Sequence, residues 1–216
     1  MEFSKVLKGR RAVRRFTDCQ IKREILFEIL NDARMAPSWA NAQERRVYVA
    51  MRDTAHNIRK AYAEQAKKGL IGLSDFSCTH REYWSKEAQH NMAEFEHSIE
   101  KYLGEDYKDF LNVQDELYNA PTLIFLTLPK IASSYSVLDL GAFEMALVLS
   151  ATEHGLDSIV SYASVKYPEI LRKYLPISDD ENIVIGIGLG YRDENVKINQ
   201  FRSTRVSMSQ FLTIKE

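Results

Sequence analysis

Four guanidiniums crowd six consecutive positions near the start of the chain, in Arg10-Arg11-Ala12-Val13-Arg14-Arg15-Phe16. So dense a set of cations repels itself unless an anion gathers it or solvent separates it. Arginine suits phosphate because its planar fork donates two parallel hydrogen bonds. In an extended segment side chains alternate sides, which puts Arg10 and Arg14 on one face and Arg11 and Arg15 on the other. One face could hold a phosphate while the other meets acidic neighbours; a solvated basic turn after a helix is the plainer alternative. A second pair, Arg202 and Arg205, stands in Asn199-Gln200-Phe201-Arg202-Ser203-Thr204-Arg205, nearly the whole chain away. If the two clusters converge, the site holds a strongly anionic group.

A third feature is Ala36-Pro37-Ser38-Trp39-Ala40-Asn41-Ala42-Gln43. Its amides can read the donor and acceptor edge of a planar heterocycle, and its indole can cover a ring face. Alone, it reads first as a helix-to-strand loop. Gly186, Gly188 and Gly190 form G-x-G-x-G inside an apolar run. The dinucleotide fingerprint needs its glycines after the strand, opening a helix, so these glycines are expected to admit a close-packed neighbour instead. The histidines (His56, His80, His90, His97 and His154) show no metal-ligand spacing, and there is no G-x-S-x-G elbow or Walker-type loop. Cys19 and Cys78 can build neither a disulfide scaffold nor a zinc site. No side chain is assigned as catalytic and no metal is expected. What remains is an enzyme whose reactive part is not a side chain.

The elements that must position these residues follow from apolar spacing. Helices are predicted over Met1 to Lys8, Lys22 to Met35, Asp53 to Gly69, a segment reaching Gly104 with Met92, Phe95, Ile99 and Leu103 on one face, Phe110 to Tyr118, and Tyr167 to Tyr174. Strands are predicted at Arg46 to Met51, Thr122 to Leu128, Ser158 to Ser161 and Asn182 to Leu189. Leu138 to His154 is apolar nearly all round, so protein must enclose it on every side, and a second subunit is expected to supply part of that cover. The tail from Tyr191 reads as extended, with alternation at Val206, Met208 and Phe211. Strands alternating with longer helices give an α/β or α+β class in a single domain of 216 residues. With 29 basic and 30 acidic residues the net charge is -1, which gives no reason to expect nucleic acid as a partner. No apolar run is read as long enough to cross a membrane and Met1 to Arg15 lacks a signal-like core, so a reduced, cytoplasmic setting is expected.

Arg10 to Phe16, Ala33 to Gln43 and Leu189 to Arg205 together resemble the FMN-dependent nitroreductases. That family commonly shows R-R-S-x-R-x-[FY], then A-x-x-A-P-S-x-x-N-x-Q-P-W, then L-G-Y-x-x-[DE] followed by N-x-F-R-x-x-R. Asp139-Leu140-Gly141-Ala142 through Gly155-Leu156 is similar to the family's long central helix and glycine turn, and Tyr167-Pro168-Glu169 with Leu171 to the short helix after it. The likeness spans the chain except roughly residues 53–116, the family's variable region, which covers the active site.

The resemblance implies an α+β homodimer with a mixed sheet flanked by helices, a long interface helix and an exchanged C-terminal segment. It implies that Arg10, Arg11, Ala12 and Arg14 line FMN, with Arg10 on the phosphate and Arg14 near the pyrimidine edge. Arg202 and Arg205 would complete the phosphate site. Pro37, Ser38, Trp39 and Asn41 would reach the flavin of the other subunit, and Ser161, Tyr162 and Ala163 would pass its reactive edge. Trp39, Tyr162 and Phe76 to Trp84 are candidates for shaping the acceptor pocket. The implied activity is NAD(P)H-dependent, ping-pong reduction of a nitroaromatic, quinone or similar planar acceptor. A flavin reductase of another acceptor class, such as a reductive dehalogenase, and a non-catalytic dimer that stores or senses FMN are the competing readings. Three departures stand out. Ala12 replaces the usual serine, Glu44-Arg45 replaces Pro-Trp, and Asn112-Val113-Gln114-Asp115-Glu116 offers no lysine where some relatives hold the flavin ring.

Overall fold

A computed structural model describes residues 2–76 and 78–216; Met1, and Ser77 within the Phe76 to Trp84 segment, lie outside the described residues. The helices are α1 (Phe3–Gly9), α2 (Arg23–Ala33), α3 (Arg52–Lys67), α4 (Lys86–Leu103), α5 (Tyr107–Asn112), α6 (Ser134–Glu153), α7 (Pro168–Tyr174) and α8 (Met208–Phe211). The strands are β1 (Arg46–Met51), β2 (Thr122–Pro129), β3 (Asp157–Ser161) and β4 (Glu181–Gly190). They form one sheet in the order β1-β2-β4-β3, and each of these pairings is antiparallel. The parallel component expected of a mixed sheet is confined to one bridge, Ala12 to Ser158, where the arginine-rich segment runs along the free edge of β3. The fold is α+β.

β2 shows why the sheet lies at the centre. Leu123 and Phe125 point into one apolar cluster with Ile58, Tyr62, Leu117 and Leu171, whereas Ile124 and Leu126 point into another with Ile29, Phe143 and Leu147. A strand alternates its side chains between faces, so an unbroken apolar run such as TLIFLTL must be covered on both. α3 and α7 cover the first face, α2 and α6 the second. On β4, a Cβ at Gly186 would lie 2.5 Å from the Ser164 Cβ, and one at Gly190 would lie 2.7 Å from Pro121 Cδ. The three glycines therefore allow close packing of neighbouring chain, as their place within the strand predicts.

α6 ends at Gly155, whose φ of +74° and N–H bond to the Thr152 carbonyl at 3.1 Å close the helix in the left-handed conformation glycine favours. By length and composition α6 is sufficient to cross a membrane, which corrects the expectation that no such segment exists. Its Leu140, Phe143, Leu147 and Val148 are instead spent on the core with α2. Tyr135, Leu138 and Met145 remain exposed on another side of the helix, at 58%, 69% and 38%.

Two other elements differ from the sequence pattern. The helix expected over Phe110 to Tyr118 stops at Asn112 and becomes a 3-10 turn in which Leu117, Tyr118 and Asn119 all take positive φ (48°, 61° and 55°). That turn drives Leu117 and Tyr118 into the core just before β2, and the burial holds a conformation non-glycine residues rarely adopt. The tail is not uniformly extended. Lys197–Gln200 forms a 3-10 turn, and Ser207 and Gln210 make a capping box over α8, whose Met208 and Phe211 stay exposed.

Candidate active site

The two arginine clusters meet. Asn199, almost fully buried, accepts hydrogen bonds through Oδ1 from the backbone N–H of Arg14 (2.9 Å) and of Arg15 (3.3 Å). Its Nδ2 donates to the carbonyls of Arg15 (2.7 Å) and Asp193 (2.9 Å). One amide thus uses its full donor and acceptor capacity to tie the C-terminal segment to the arginine-rich strand. The Thr17 N–H reaches the Tyr191 carbonyl at 2.9 Å and completes the seam.

Beside that seam lies a cavity of about 290 Å³ lined by Lys8, Arg10, Arg11, Arg14, Arg202 and Arg205, with Leu7, Ala12, Phe95, Phe201 and Ser203 between them. Among the described residues no carboxylate lines it. Arg202 and Arg205 are braced from behind, Arg202 Nη1 by the Phe201 carbonyl at 3.0 Å and Arg205 Nη1 by the Thr204 carbonyl at 2.7 Å. Nε and Nη1 of Arg11 are buried with no hydrogen-bond partner among the described residues. Buried polar groups are normally paired, so an orphaned guanidinium amid five other cations marks a place built for an anion.

A second cavity of about 430 Å³ shares Ala12, Arg14 and Phe95 with the first, so the two run together. Ile159, Val160, Ser161, Tyr162 and Ala163 form one wall, and Met92, Phe95, Tyr107, Phe110 and Leu111 another. Arg14 stands at the junction. Its Nη1 donates to the Ala12 carbonyl at 3.2 Å and its guanidinium lies 5.3 Å from the Phe110 ring centre. Burial pulls its pKa below the usual arginine value, yet it remains a cation at any working pH. The Tyr118 hydroxyl, 3.0 Å from Ser161 Oγ, is pushed above the usual phenol range by burial, with the Ser161 bond and the nearby Arg14 charge opposing. It stays neutral and able to donate. The site therefore offers a polycationic cradle adjoining a chamber lined in part by aromatic side chains.

Of the residues singled out in sequence, Arg10, Arg11, Ala12, Arg14, Arg202 and Arg205 line the cradle, while Ser161, Tyr162 and Ala163 line the chamber. Pro37, Ser38, Trp39 and Asn41 line neither within this protomer. Their loop is fastened to α6, with the Trp39 N–H donating to Asp139 Oδ2 at 2.9 Å and its indole stacked on Tyr135 at 5.8 Å. The Ser136 hydroxyl also donates to Glu44, one of the two residues standing in place of Pro-Trp. This loop consequently shares the exposed apolar side of α6. Arg15, paired in the sequence reading with acidic neighbours, lies 3.8 Å from Glu116.

Sequence reasoning assigned no role to Asn199, although it heads the N-x-F-R motif. Of the Phe76 to Trp84 segment, Arg81 lines the chamber, whereas Glu96, Tyr107, Phe110, Gln114 and Tyr118 were missed as cavity walls, since they come from the 96–118 stretch, where no short motif distinguishes a pocket residue from an ordinary helix face. Lys166 pairs at 3.3 Å with Asp115, inside the segment in which no flavin-ring lysine could be assigned.

The sequence profile of the Nitroreductase family matches residues 7–191, and the chain belongs to that family. A 4-nitrobenzoate reductase of Pseudomonas putida is 29% identical over 98% of this chain and 94% of its own. The crystal structure of the FMN-dependent nitroreductase NfnB from Mycobacterium smegmatis in complex with NADPH superposes with a TM-score of 0.90, at 25% identity over 99% of this chain and 97% of that one. A chloronitrobenzene nitroreductase of Comamonas testosteroni is 26% identical over 96% of this chain and 94% of its own.

Proposed function

We propose that this chain is an FMN-dependent oxidoreductase that uses NAD(P)H to reduce nitroaromatic or similarly electron-poor planar compounds. The observation that carries the reading is the convergence of Arg10, Arg11, Arg202 and Arg205 on one cavity, lined by no carboxylate among the described residues, that adjoins a partly aromatic chamber. The residues present fit the cofactor. A ribityl phosphate would supply the anion that the orphaned Arg11 guanidinium lacks, and an isoalloxazine ring, aromatic on its faces and polar at its pyrimidine edge, matches a chamber lined by both Tyr107 and Phe110 and by Arg14 and Ser161. The family relationship and the names of the aligned relatives point the same way.

When bound, FMN supplies the hydride chemistry, from NAD(P)H to the acceptor in alternate half-reactions. The chain's own residues set the conditions for it. Arg10, Arg11, Arg202 and Arg205 hold the phosphate, and their forks fix its position through several charge-assisted bonds at once. Arg14, held at the junction, would offer the bound ring a fixed positive charge, and its burial would strengthen that interaction because water screens it less. Tyr118 and Ser161 keep a neutral hydroxyl pair against the same wall. Phe95, Tyr107 and Phe110 exclude water from the chamber and bind aromatic faces.

The assembly is a homodimer in this reading. Tyr135, Leu138 and Met145 of α6, Trp39 beside them, Phe27 of α2 and the tail residues Phe211 and Ile214 are large exposed apolar side chains. A second copy covering that side would bring the Pro37, Ser38, Trp39 and Asn41 loop toward its partner's chamber. The exposed thiols of Cys19 and Cys78 fit a reducing cytoplasm. The test is spectroscopic. Purified protein is expected to be yellow, to bleach with NAD(P)H in the absence of oxygen, and to regain colour when a nitroarene is added. Yellow protein that no nicotinamide bleaches would favour storage or sensing, and colourless protein that FMN cannot reconstitute would refute both.

A further inference from the structure

One guanidinium at the edge of the aromatic chamber has no part in holding phosphate or ring. We propose that Arg81 selects acceptors that carry a carboxylate on the aromatic ring; this rests on the proposed function, with the 430 Å³ cavity taking the acceptor beside the flavin ring.

Arg81 projects from a held frame. It opens the 3-10 turn Arg81–Tyr83, in which the Tyr83 and Trp84 N–H groups donate to the carbonyls of His80 and Arg81 at 3.0 and 3.1 Å. Trp84 Nε1 donates to the Thr79 carbonyl at 3.0 Å, and Gln89 Nε2 donates to the carbonyls of Glu82 (3.1 Å) and Trp84 (2.8 Å). A turn pinned by two side chains presents its arginine at a defined place, even though no sheet or long helix carries it.

The guanidinium is available. Its charged neighbour is Glu96 of α4, with Arg81 Nη1 lying 3.8 Å from Oε2. That separation is an ion pair without a hydrogen bond, and both side chains are more than half exposed, so the pair is weak and easily exchanged. Among the described residues Arg81 donates no side-chain hydrogen bond to protein. Arg14, the other cation of the chamber, is committed to the Ala12 carbonyl and the Phe110 ring. The chamber lining thus carries two cations, Arg14 and Arg81, against one anion, Glu96, a balance of +1 that favours anionic over cationic ligands.

A ring seated against Tyr107 and Phe110, themselves stacked at 5.5 Å, meets this fork at its rim. An aryl carboxylate matches the fork with two parallel hydrogen bonds and displaces Glu96, which a neutral substituent cannot do. Glu96 then acts as an internal competitor. Its Oε1 is also within 3.4 Å of the Tyr107 hydroxyl, which keeps the carboxylate beside the chamber.

The test uses the FMN-loaded protein with 4-nitrobenzoate and its neutral analogue 4-nitrobenzamide as acceptors, and with inert benzoate and benzamide followed by the perturbation of the flavin absorbance they cause. Wild type is expected to favour each carboxylate. Arg81→Gln is expected to lower the nitrobenzoate-to-nitrobenzamide ratio of kcat/KM by about five- to twentyfold, mostly through KM, and to lower the benzoate-to-benzamide binding ratio alike. Arg81→Lys falls between the two, and Glu96→Gln raises both ratios by about two- to fivefold. If both nitro compounds are reduced but Arg81→Gln leaves the ratios within twofold of wild type, the proposal is overturned. If wild type reduces neither compound yet binds benzoate in preference to benzamide through Arg81, the nitroreductase reading fails and carboxylate recognition stands. Equal binding of the two inert ligands by wild type overturns recognition, whatever the activity.

Discussion

Replacing Arg11 by methionine should have opposite effects on the free and the FMN-bound protein. In the free protein, Nε and Nη1 of Arg11 are buried without partners and share their cavity with Lys8, Arg10, Arg14, Arg202 and Arg205. An unsatisfied buried donor costs roughly 1–3 kcal/mol, more when charged, and neighbouring cations add repulsion. Methionine keeps the length and apolar stem while removing both terms, so the flavin-free variant is expected to be more stable by about 1–3 kcal/mol. For a chain of this size that raises the melting temperature by roughly 2–10 °C. With FMN the sign reverses. A hydrogen bond to a charged group is worth roughly 1.5–3 kcal/mol, which makes the loss of affinity about 10- to 150-fold. The assay pairs thermal melts of flavin-stripped protein with fluorescence titration by FMN, on wild type and Arg11→Met in parallel. A variant that melts lower without flavin, and binds FMN as tightly as wild type, would show that Arg11 is a structural cation.

Asn199→Ala removes four hydrogen bonds, three of which join Arg14 and Arg15 to the C-terminal segment. At roughly 0.5–1.5 kcal/mol each, with the backbone N–H groups of Arg14 and Arg15 left open, chemical denaturation should report a loss of about 2–5 kcal/mol; FMN affinity should fall as well, because Arg202 and Arg205 lose their anchor. Asp157, at the start of β3, bears on pH. Burial pushes its carboxyl from the usual 3.8 up to about 6 even though Arg192 Nε lies 2.8 Å away. A folded-state value above the unfolded one stabilises the fold fully below pH 3.8, and that contribution is lost as pH rises through 6, at most about 3 kcal/mol. The melting temperature of wild type minus that of Asp157→Asn should therefore decline between pH 4 and 7; a flat or rising difference contradicts the assignment.

Elements whose stability is local were legible in the sequence. β1 occupies Arg46–Met51, the predicted span, because valine and tyrosine alternate there without turn residues. β2 and α7 follow from a compact apolar run and from Pro168 at a helix start. The turn before β2 was not legible, since Leu117, Tyr118 and Asn119 enter the left-handed region with no glycine to announce it. Ala40, Asn41 and Gln43 do the same in the loop after α2. In both places tertiary contacts impose the backbone, through burial at Leu117 and Tyr118 and through the Trp39–Asp139 bond in the loop. The cradle was half legible. Each arginine cluster was evident, but their meeting depends on Asn199 bonding across 185 positions, a contact no local pattern encodes. The chamber walls from α4 and α5 were least legible, because Phe95 and Phe110 sit on helix faces where an aromatic residue usually means core.

In the proposed function a phosphate joins Arg10 and Arg205. Titrating the flavin-free protein with FMN and with riboflavin, which lacks only the phosphate, isolates that group. Wild type is expected to bind FMN at least 100-fold more tightly than riboflavin, and Arg10→Ala and Arg205→Ala should each cut that preference about tenfold or more while changing riboflavin binding little. Equal affinity for the two flavins in wild type, or an FMN preference that survives both substitutions, would contradict it.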